Sequence, residues 1–365
     1  MEQLGELLGY RAQIASYYGD SQAAYAYSQR ALSYLNEQDL YERANVACAL
    51  TLAALTEGEA SSGVQHAFDA SRLMQAADVT QAAICYHSIG AFLLHRQGQL
   101  HAAWRTYQEA IALGTGPENV PFTAVGLAYA CQADLLREWN RLDEALDDAL
   151  GGLHLAEQGG YMTVYLGRVY QALVRIYLSM GELDAAREAL QELLQLPLLA
   201  RNPYQQAILT SVEQVRLWIN SGEEEQALRW AREQKRREYP LPPLAAERVE
   251  MALARVCLLQ GQAREALTCL EQVIAQATAQ QRQEQVLEAR IVQALAWQAM
   301  QQEERALATL AEAVRLAEPE GYQRIFVDEG ARLQTLLASL CSGESQQIRI
   351  LSCRPARRLR LLCPC

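Results

Sequence analysis

Leu136-Arg137-Glu138-Trp139-Asn140-Arg141-Leu142-Asp143-Glu144-Ala145 reads as the corner of a helical hairpin. One helix closes on Trp139, Asn140 takes the turn, and Ala145, five residues on, is small where a second helix must approach the first. The pattern recurs from end to end. Matching turn residues stand at Gly19, Gly58, Gly98, Gly181, Gly222, Gly261 and Gln301, with neighbouring turns 39 to 42 residues apart. So steady a period marks a repeat array, in which each unit buries its apolar face by stacking on the next.

Two columns of small residues keep step with the turns. Five residues after each comes Ala24, Gly63, Ala103, Ala145, Ala186, Ala227, Ala266 and Ala306; seven before comes Ala12, Thr51, Ala91, Ala133, Val174, Val215, Ala254 and Ala294. Small side chains there let two antiparallel helix axes close to about 8 Å, and a glycine at the turn supplies the left-handed conformation that ends the first helix. A third column, twelve after the turn, holds Ala31, Ala70, Ala110, Gly152 and Ala313 and is expected to receive the next repeat's first helix. Units five to seven carry Leu193, Gln234 and Val273 there, so stacking is expected to be less uniform.

First helices are therefore predicted near 2–18, 39–57, 81–97, 121–139, 160–180, 203–221, 242–260 and 281–300. Pro117, Pro121, Pro197, Pro203, Pro240, Pro242 and Pro243 fall between units, where a ring without an N–H does least harm. Past the eighth unit Glu318-Pro319-Glu320-Gly321-Tyr322 stops a helix. Arg324 to Gly330 reads as extended or turning, and Ala331 to Leu340 as a last helix that caps the array. Residues 1–340 thus form one all-α repeat domain, and 341–365, basic and cysteine-bearing, a disordered tail.

Half of the 365 residues are apolar, enough for a substantial core, and the net charge of −11 argues against nucleic-acid binding, which needs a concentrated basic face. Lys235 is the only lysine and no GxxxxGK[ST] occurs, so neither a Schiff-base nor a P-loop lysine has a natural candidate. The nine cysteines show no CxxC spacing, as in a reduced, cytoplasmic protein. No apolar run approaches the roughly 20 residues of a membrane span.

Among five histidines, Cys85 and His87 form the only close Cys/His pair, and two residues apart on a helix they point in different directions; no metal site is expected. Ser88 beside His87 lacks the geometry of a nucleophile and its base. Glu223-Glu224-Glu225 opens a helix, where carboxylates meet the favourable end of the dipole. Gly114 to Asn119 reads as an inter-repeat turn. The chain is expected to perform no chemistry and to hold no cofactor.

A turn residue with small residues at plus five, plus twelve and minus seven resembles the tetratricopeptide pattern, stretched to a period of about 40. Leu136 to Ala145, His154-Leu155-Ala156, Gly159-Gly160-Tyr161 and Glu320-Gly321-Tyr322-Gln323-Arg324-Ile325-Phe326-Val327-Asp328-Glu329-Gly330 resemble the helical sensor region of MalT-like, LuxR-type ATP-dependent transcriptional regulators over roughly residues 1 to 340. The resemblance implies a right-handed superhelix of about eight two-helix repeats, an α-solenoid. In the whole regulator it lies between a nucleotide-binding module and a helix-turn-helix domain, neither of which is recognisable here. The basic tail stands where a linker should follow and is read as a frameshift or truncation.

First helices line the concave surface in such an architecture, and they carry Tyr86, Tyr129, Tyr165, Tyr170, Tyr177 and Trp218 interleaved with Arg168, Arg175 and Arg216. Tyr177 and Trp218, four before their turns, are expected in the helix-pair core. Tyr86, Tyr129, Tyr165 and Arg168 are the candidates for a groove that takes a small polar effector or a protein partner. The function expected is an effector-sensing and interaction module of a regulator, with self-association open to it. The alternative is a free-standing tetratricopeptide scaffold.

Overall fold

The computed structural model describes residues 2–115, 121–159 and 163–342. Among these, each unit is a helical pair. Repeats one to four are α1 (Glu2–Tyr17) with α2 (Ser21–Leu32), α3 (Leu40–Glu57) with α4 (Ala60–Ala76), α5 (Thr80–Arg96) with α6 (Leu100–Leu113), and α7 (Val125–Glu138) with α8 (Leu142–Gln158). In repeat five, α9 (Thr163–Met180) and α10 (Leu183–Gln195) are followed by an extra short helix, α11 (Pro197–Arg201). Repeats six to eight are α12 (Pro203–Asn220) with α13 (Glu224–Lys235), α14 (Pro243–Leu259) with α15 (Ala263–Ala279), and α16 (Gln283–Ala299) with α17 (Glu303–Ala317). The architecture is an all-α solenoid.

All eight turn residues adopt the left-handed conformation, from φ +60° at Asn140 and Gln301 to +82° at Gly19. Each turn is closed by the same bond, the amide after the turn residue reaching a carbonyl five residues back: Arg141 N–H to Leu136 O at 3.0 Å, Glu182 to Tyr177 at 2.9 Å, Gln302 to Trp297 at 3.0 Å. This is the Schellman arrangement, which satisfies carbonyls the helix end leaves unpaired. Pro197, Pro203 and Pro243 occupy the first turns of α11, α12 and α14, where a missing N–H is harmless.

Both small-residue columns at the helix-pair contact are buried throughout. The third column behaves differently from expectation at repeat four. A Cβ on Gly152 would lie 2.8 Å from the Gly126 carbonyl oxygen, so this position receives its own repeat's first helix, backbone against backbone. The next repeat is met beside the column, as where Ser71 Oγ donates to the Ala83 carbonyl at 2.9 Å. α13 has 12 residues where α8 has 17, and with α11 it makes repeats five and six the irregular stretch of the outer layer.

After α17, a 3-10 turn (Glu318–Glu320) leads into α18 (Arg324–Val327) and α19 (Gly330–Ser342). The segment from Arg324, expected to be extended or turning, contains a helical turn because Ile325 and Phe326 are both drawn into the core. Residues 341 and 342 belong to α19, and the remainder of the expected tail, 343–365, lies outside the described residues, as do 116–119 of the expected inter-repeat turn. At the opposite end, α1 leaves Leu4, Leu7, Tyr10, Ile14, Tyr17 and Tyr18 exposed along one stripe.

The solenoid coils tightly enough to meet itself. Asn202 at the head of repeat six donates to the Tyr17 carbonyl of repeat one at 3.3 Å, α14 packs on α3, α16 on α5, and α18 on α7. Repeat one meets six, two meets seven, three meets eight, and four meets the cap, so one superhelical turn takes about five repeats, as coiling follows from the small rotation between neighbours. First helices therefore converge on a narrow axis.

Candidate functional site on the superhelix axis

The axis is filled by charge. Asp134 and Arg137 come from α7, Arg175 from α9, Glu213 and Arg216 from α12, Arg248 and Arg255 from α14, Glu288 from α16, and Asp328 and Glu329 from the segment between α18 and α19. They close into a ring of alternating sign. Asp134 accepts from Arg175 at 2.6 Å, Glu213 joins Arg175 (2.8 Å) to Arg248 (3.0 Å), and Arg248 faces Glu288 at 3.7 Å. Arg255 joins Glu288 (3.0 Å) to Glu329 (2.7 Å), and Arg216 lies 3.4 Å from Glu329 and 3.9 Å from Asp328. Arg137 completes the circuit, 3.0 Å from both Asp328 and Asp134.

Of two further pairs, Arg96 with Glu284 at 2.8 Å stitches repeat three to its cross-turn neighbour, repeat eight, and Arg282 with Glu247 joins the adjacent repeats eight and seven. Such pairs give little net stability against desolvation, but an uncompensated member left behind is costly. They therefore set which surfaces meet more than how tightly they hold.

Placement decides protonation. Burial would raise the Asp134 carboxyl, but Arg175 and Arg137 override it and hold the group far below the usual carboxylate range. Glu288 is held at about 2 by Arg255 and Arg248 against the same burial. Glu138 goes the other way. Burial, only partly offset by Arg137 and reinforced by Asp134, Glu284 and Asp328, pushes it up to about 7. His95 is buried, and its burial pushes the ring towards the neutral form.

The stretch around Asn140 is where the cap docks. Glu138 Oε2 accepts from the Ile325 amide at 3.1 Å, and the Glu138 carbonyl from the Gln323 amide at 2.9 Å. The Trp139 indole N–H donates to the Glu320 carbonyl at 2.9 Å, and Arg324 donates to Asn140 Oδ1 at 3.3 Å. The two sequence motifs that carried the family resemblance, some 180 residues apart, are thus the two halves of one contact that seals the coil.

Of the three groove candidates whose side chains are described, one turns to the axis. Arg168 lies with its guanidinium carbon 4.5 Å from the centre of the Phe92 ring and donates to Gln171 at 3.0 Å. Tyr86 packs into a cluster with Cys48, Ala70 and Met74, and Tyr129 lies against Gly152 of α8. Tyr165 falls in α9, with its side chain outside the described residues. Tyr177 and Trp218 pack against the helix-pair cores. Arg175 and Arg216 are in the ring. His87 Nε2 lies 3.3 Å from Glu109, and Cys85 is buried.

The ring residues had a visible signal. Six positions before successive turns stand Asp134, Arg175, Arg216 and Arg255, beside the small-residue column, and seven earlier Arg168, Arg248 and Glu288 occupy the same helix face. Two spaces open along this charged face. One, of about 490 Å³, is lined by Arg137, Arg175, Glu213, Arg216 and Asp328 of the ring together with Glu138. The other, of about 430 Å³, lies between Phe92 and Arg282 and includes Arg168.

The MalT-like TPR region family matches residues 5–342. The HTH-type transcriptional regulator MalT of Cronobacter sakazakii (strain ATCC BAA-894) is 26% identical over 343 residues, an alignment that covers 92% of this chain and 37% of the relative. The chain spans little more than a third of that relative's length.

Proposed function

The chain belongs to the family of MalT-like TPR regions, and on that premise we propose that it is the effector-sensing and protein-interaction module of a LuxR-type transcriptional regulator. The observation that carries this reading is the ring: neighbouring repeats four to eight supply one arc of it, and the links from Asp328 and Glu329 of the cap to Arg137, Arg216 and Arg255 complete it only when the coil is closed. A ligand that competes for one arginine or carboxylate of that circuit binds the closed and opened coils unequally, and a difference in affinity is what shifts a conformational equilibrium. The cap contact at Glu138 to Asn140 is the part that would release.

The apolar stripe on α1 supports the interaction half of the reading. We assign no catalytic step to the chain. No described helix is long and apolar enough to cross a membrane, and we place the module's work in the cytoplasm. The scaffold alternative differs in one respect: it requires no response of the coil to a small molecule. Small-angle scattering and amide exchange across α18 and α19, with and without candidate effectors, test the proposal. An effector should change exchange in the cap. Binding that leaves both the cap's exchange and the coil's dimensions unchanged would rule out sensing and leave a scaffold.

A further inference from the structure

The cleft between repeats two, three, five and seven differs from the ring beside it. Its walls hold five arginines, Arg96, Arg168, Arg175, Arg248 and Arg282, and no carboxylate. Four of these have acidic partners on the side away from the cleft: Glu284 for Arg96, Asp134 and Glu213 for Arg175, Glu213 for Arg248, and Glu247 for Arg282. Arg168 has none among the described residues. Its neutral neighbour Gln171 takes one hydrogen bond, and the Phe92 ring supports the face of the guanidinium. Charges withdrawn from solvent are ordinarily paired, so a half-buried arginine set among other arginines marks a place made for something negative.

Two unpartnered groups point the same way. Arg282 is 2% exposed and its Nε–H has no acceptor, while Gly58 beside it leaves the approach clear; a Cβ there would lie 3.0 Å from that nitrogen. His95, also 2% exposed, has an Nε2 with no partner and lines an adjoining space that shares Phe92, Arg96, Arg168 and Arg175 with the cleft. The centre of a water-sized body has about 30 Å³ in which to move inside the cleft, which is partly open to solvent. That space and its arginine lining suit a phosphoryl or carboxylate head with its carrier lying outside, and offer the hydroxyls of a neutral sugar no carboxylate.

We infer that this cleft binds a small oxyanion, the phosphoryl or carboxylate group of the effector, with Arg168 as its principal ligand and Arg282 and Arg96 completing the cradle. This deepens the sensing assignment and rests on it. Planar guanidinium groups match such oxygens two at a time. Burial and the nearby Arg96, Arg175 and Arg248 hold Arg168 down to about 10, and a bound anion would offset that repulsion.

Calorimetric titration of the full chain at fixed ionic strength, with inorganic phosphate, acetate and glucose as separate probes, tests this. Phosphate or acetate, whichever head the cleft takes, should bind at one site, and glucose should not. Arg168→Met should weaken that binding at least tenfold while melting no lower than the parent, because it removes a charge that no carboxylate balances. Arg168→Lys, which keeps the charge and loses the fork, should bind in between and guards against a folding defect in the first variant. Equal anion binding by parent and Arg168→Met, or no anion binding by the parent, overturns the site; a response to glucose alone does the same yet leaves the sensing assignment standing. Anion binding that depends on Arg168 but leaves the cap's amide exchange unchanged keeps the site and removes sensing.

Discussion

Asn140 and Arg137 are three residues apart and answer to different parts of the chain. Asn140 sits at φ +60° because the amide after it reaches Leu136, and Ala145 is buried because α7 and α8 cross there; ten residues decide both. Arg137, one helical turn earlier, meets Asp328, 191 residues away. The outer layer of the solenoid is written in local spacing, while the axis is written in the pitch of the coil. Packing builds the first, and charge pairing selects how the second closes.

That contrast can be broken experimentally, and the largest effect is expected on the axis. Arg175→Ala strips one cation from both Asp134 and Glu213 and should cost about 3–5 kcal/mol in urea unfolding, since it strands buried carboxylates. A loss no larger than that of a surface arginine would mean that water already serves the ring. In the outer layer Ala145→Phe should cost about 1–3 kcal/mol through overpacking. Unchanged stability there would remove the small-residue column as a helix contact.

Gly181→Ala isolates the turn itself, because nothing lies within 4 Å of the new methyl and only the +81° φ resists it. The expected cost is about 1–2 kcal/mol. The pH response of Glu138 is a further test. Its folded carboxyl titrates at about 7 against an ordinary 4.5, so the folded state holds a proton that the unfolded state has lost. The resulting stabilisation is complete below the unfolded value and fades as pH rises from about 4.5 to 7. Melting temperatures of Glu138→Gln followed across that window should lack this downward slope; an identical slope in parent and variant would place the titration elsewhere.

The same contrast explains what was legible in the sequence. Turn positions, both helix-pair columns and the helix boundaries depend on neighbours within a unit, and the structure places them where the spacing did to within about three residues, apart from α7, which starts at Val125 and not near 121. The cap contact was on the page as two separate motifs, but nothing in either says that repeat four faces the ninth position of a coil with about five repeats per turn. Helical phase accounts for the aromatic candidates. Arg168 stands thirteen before its turn, on the face that turns inward, whereas Tyr86 and Tyr129 stand twelve and eleven before theirs, roughly 100° and 200° around the helix, and so meet neighbouring helices instead. The run of charged residues six before the fourth to seventh turns, Asp134, Arg175, Arg216 and Arg255, was visible too. Its meaning needed the pitch.

Because repeats one to four meet repeats six to eight and the cap five places along, this array cannot grow as solenoids usually do. Duplicating a forty-residue unit anywhere between repeats four and eight would advance every later charge by one place and part Asp328 from Arg137 across the axis. Deleting one would do the same in reverse. The outer helices can drift, trade residues and absorb an insertion such as α11, but the number of units between Asp134 and Asp328 is held, and inheritance would be expected to edit the surface of this protein far more freely than its length.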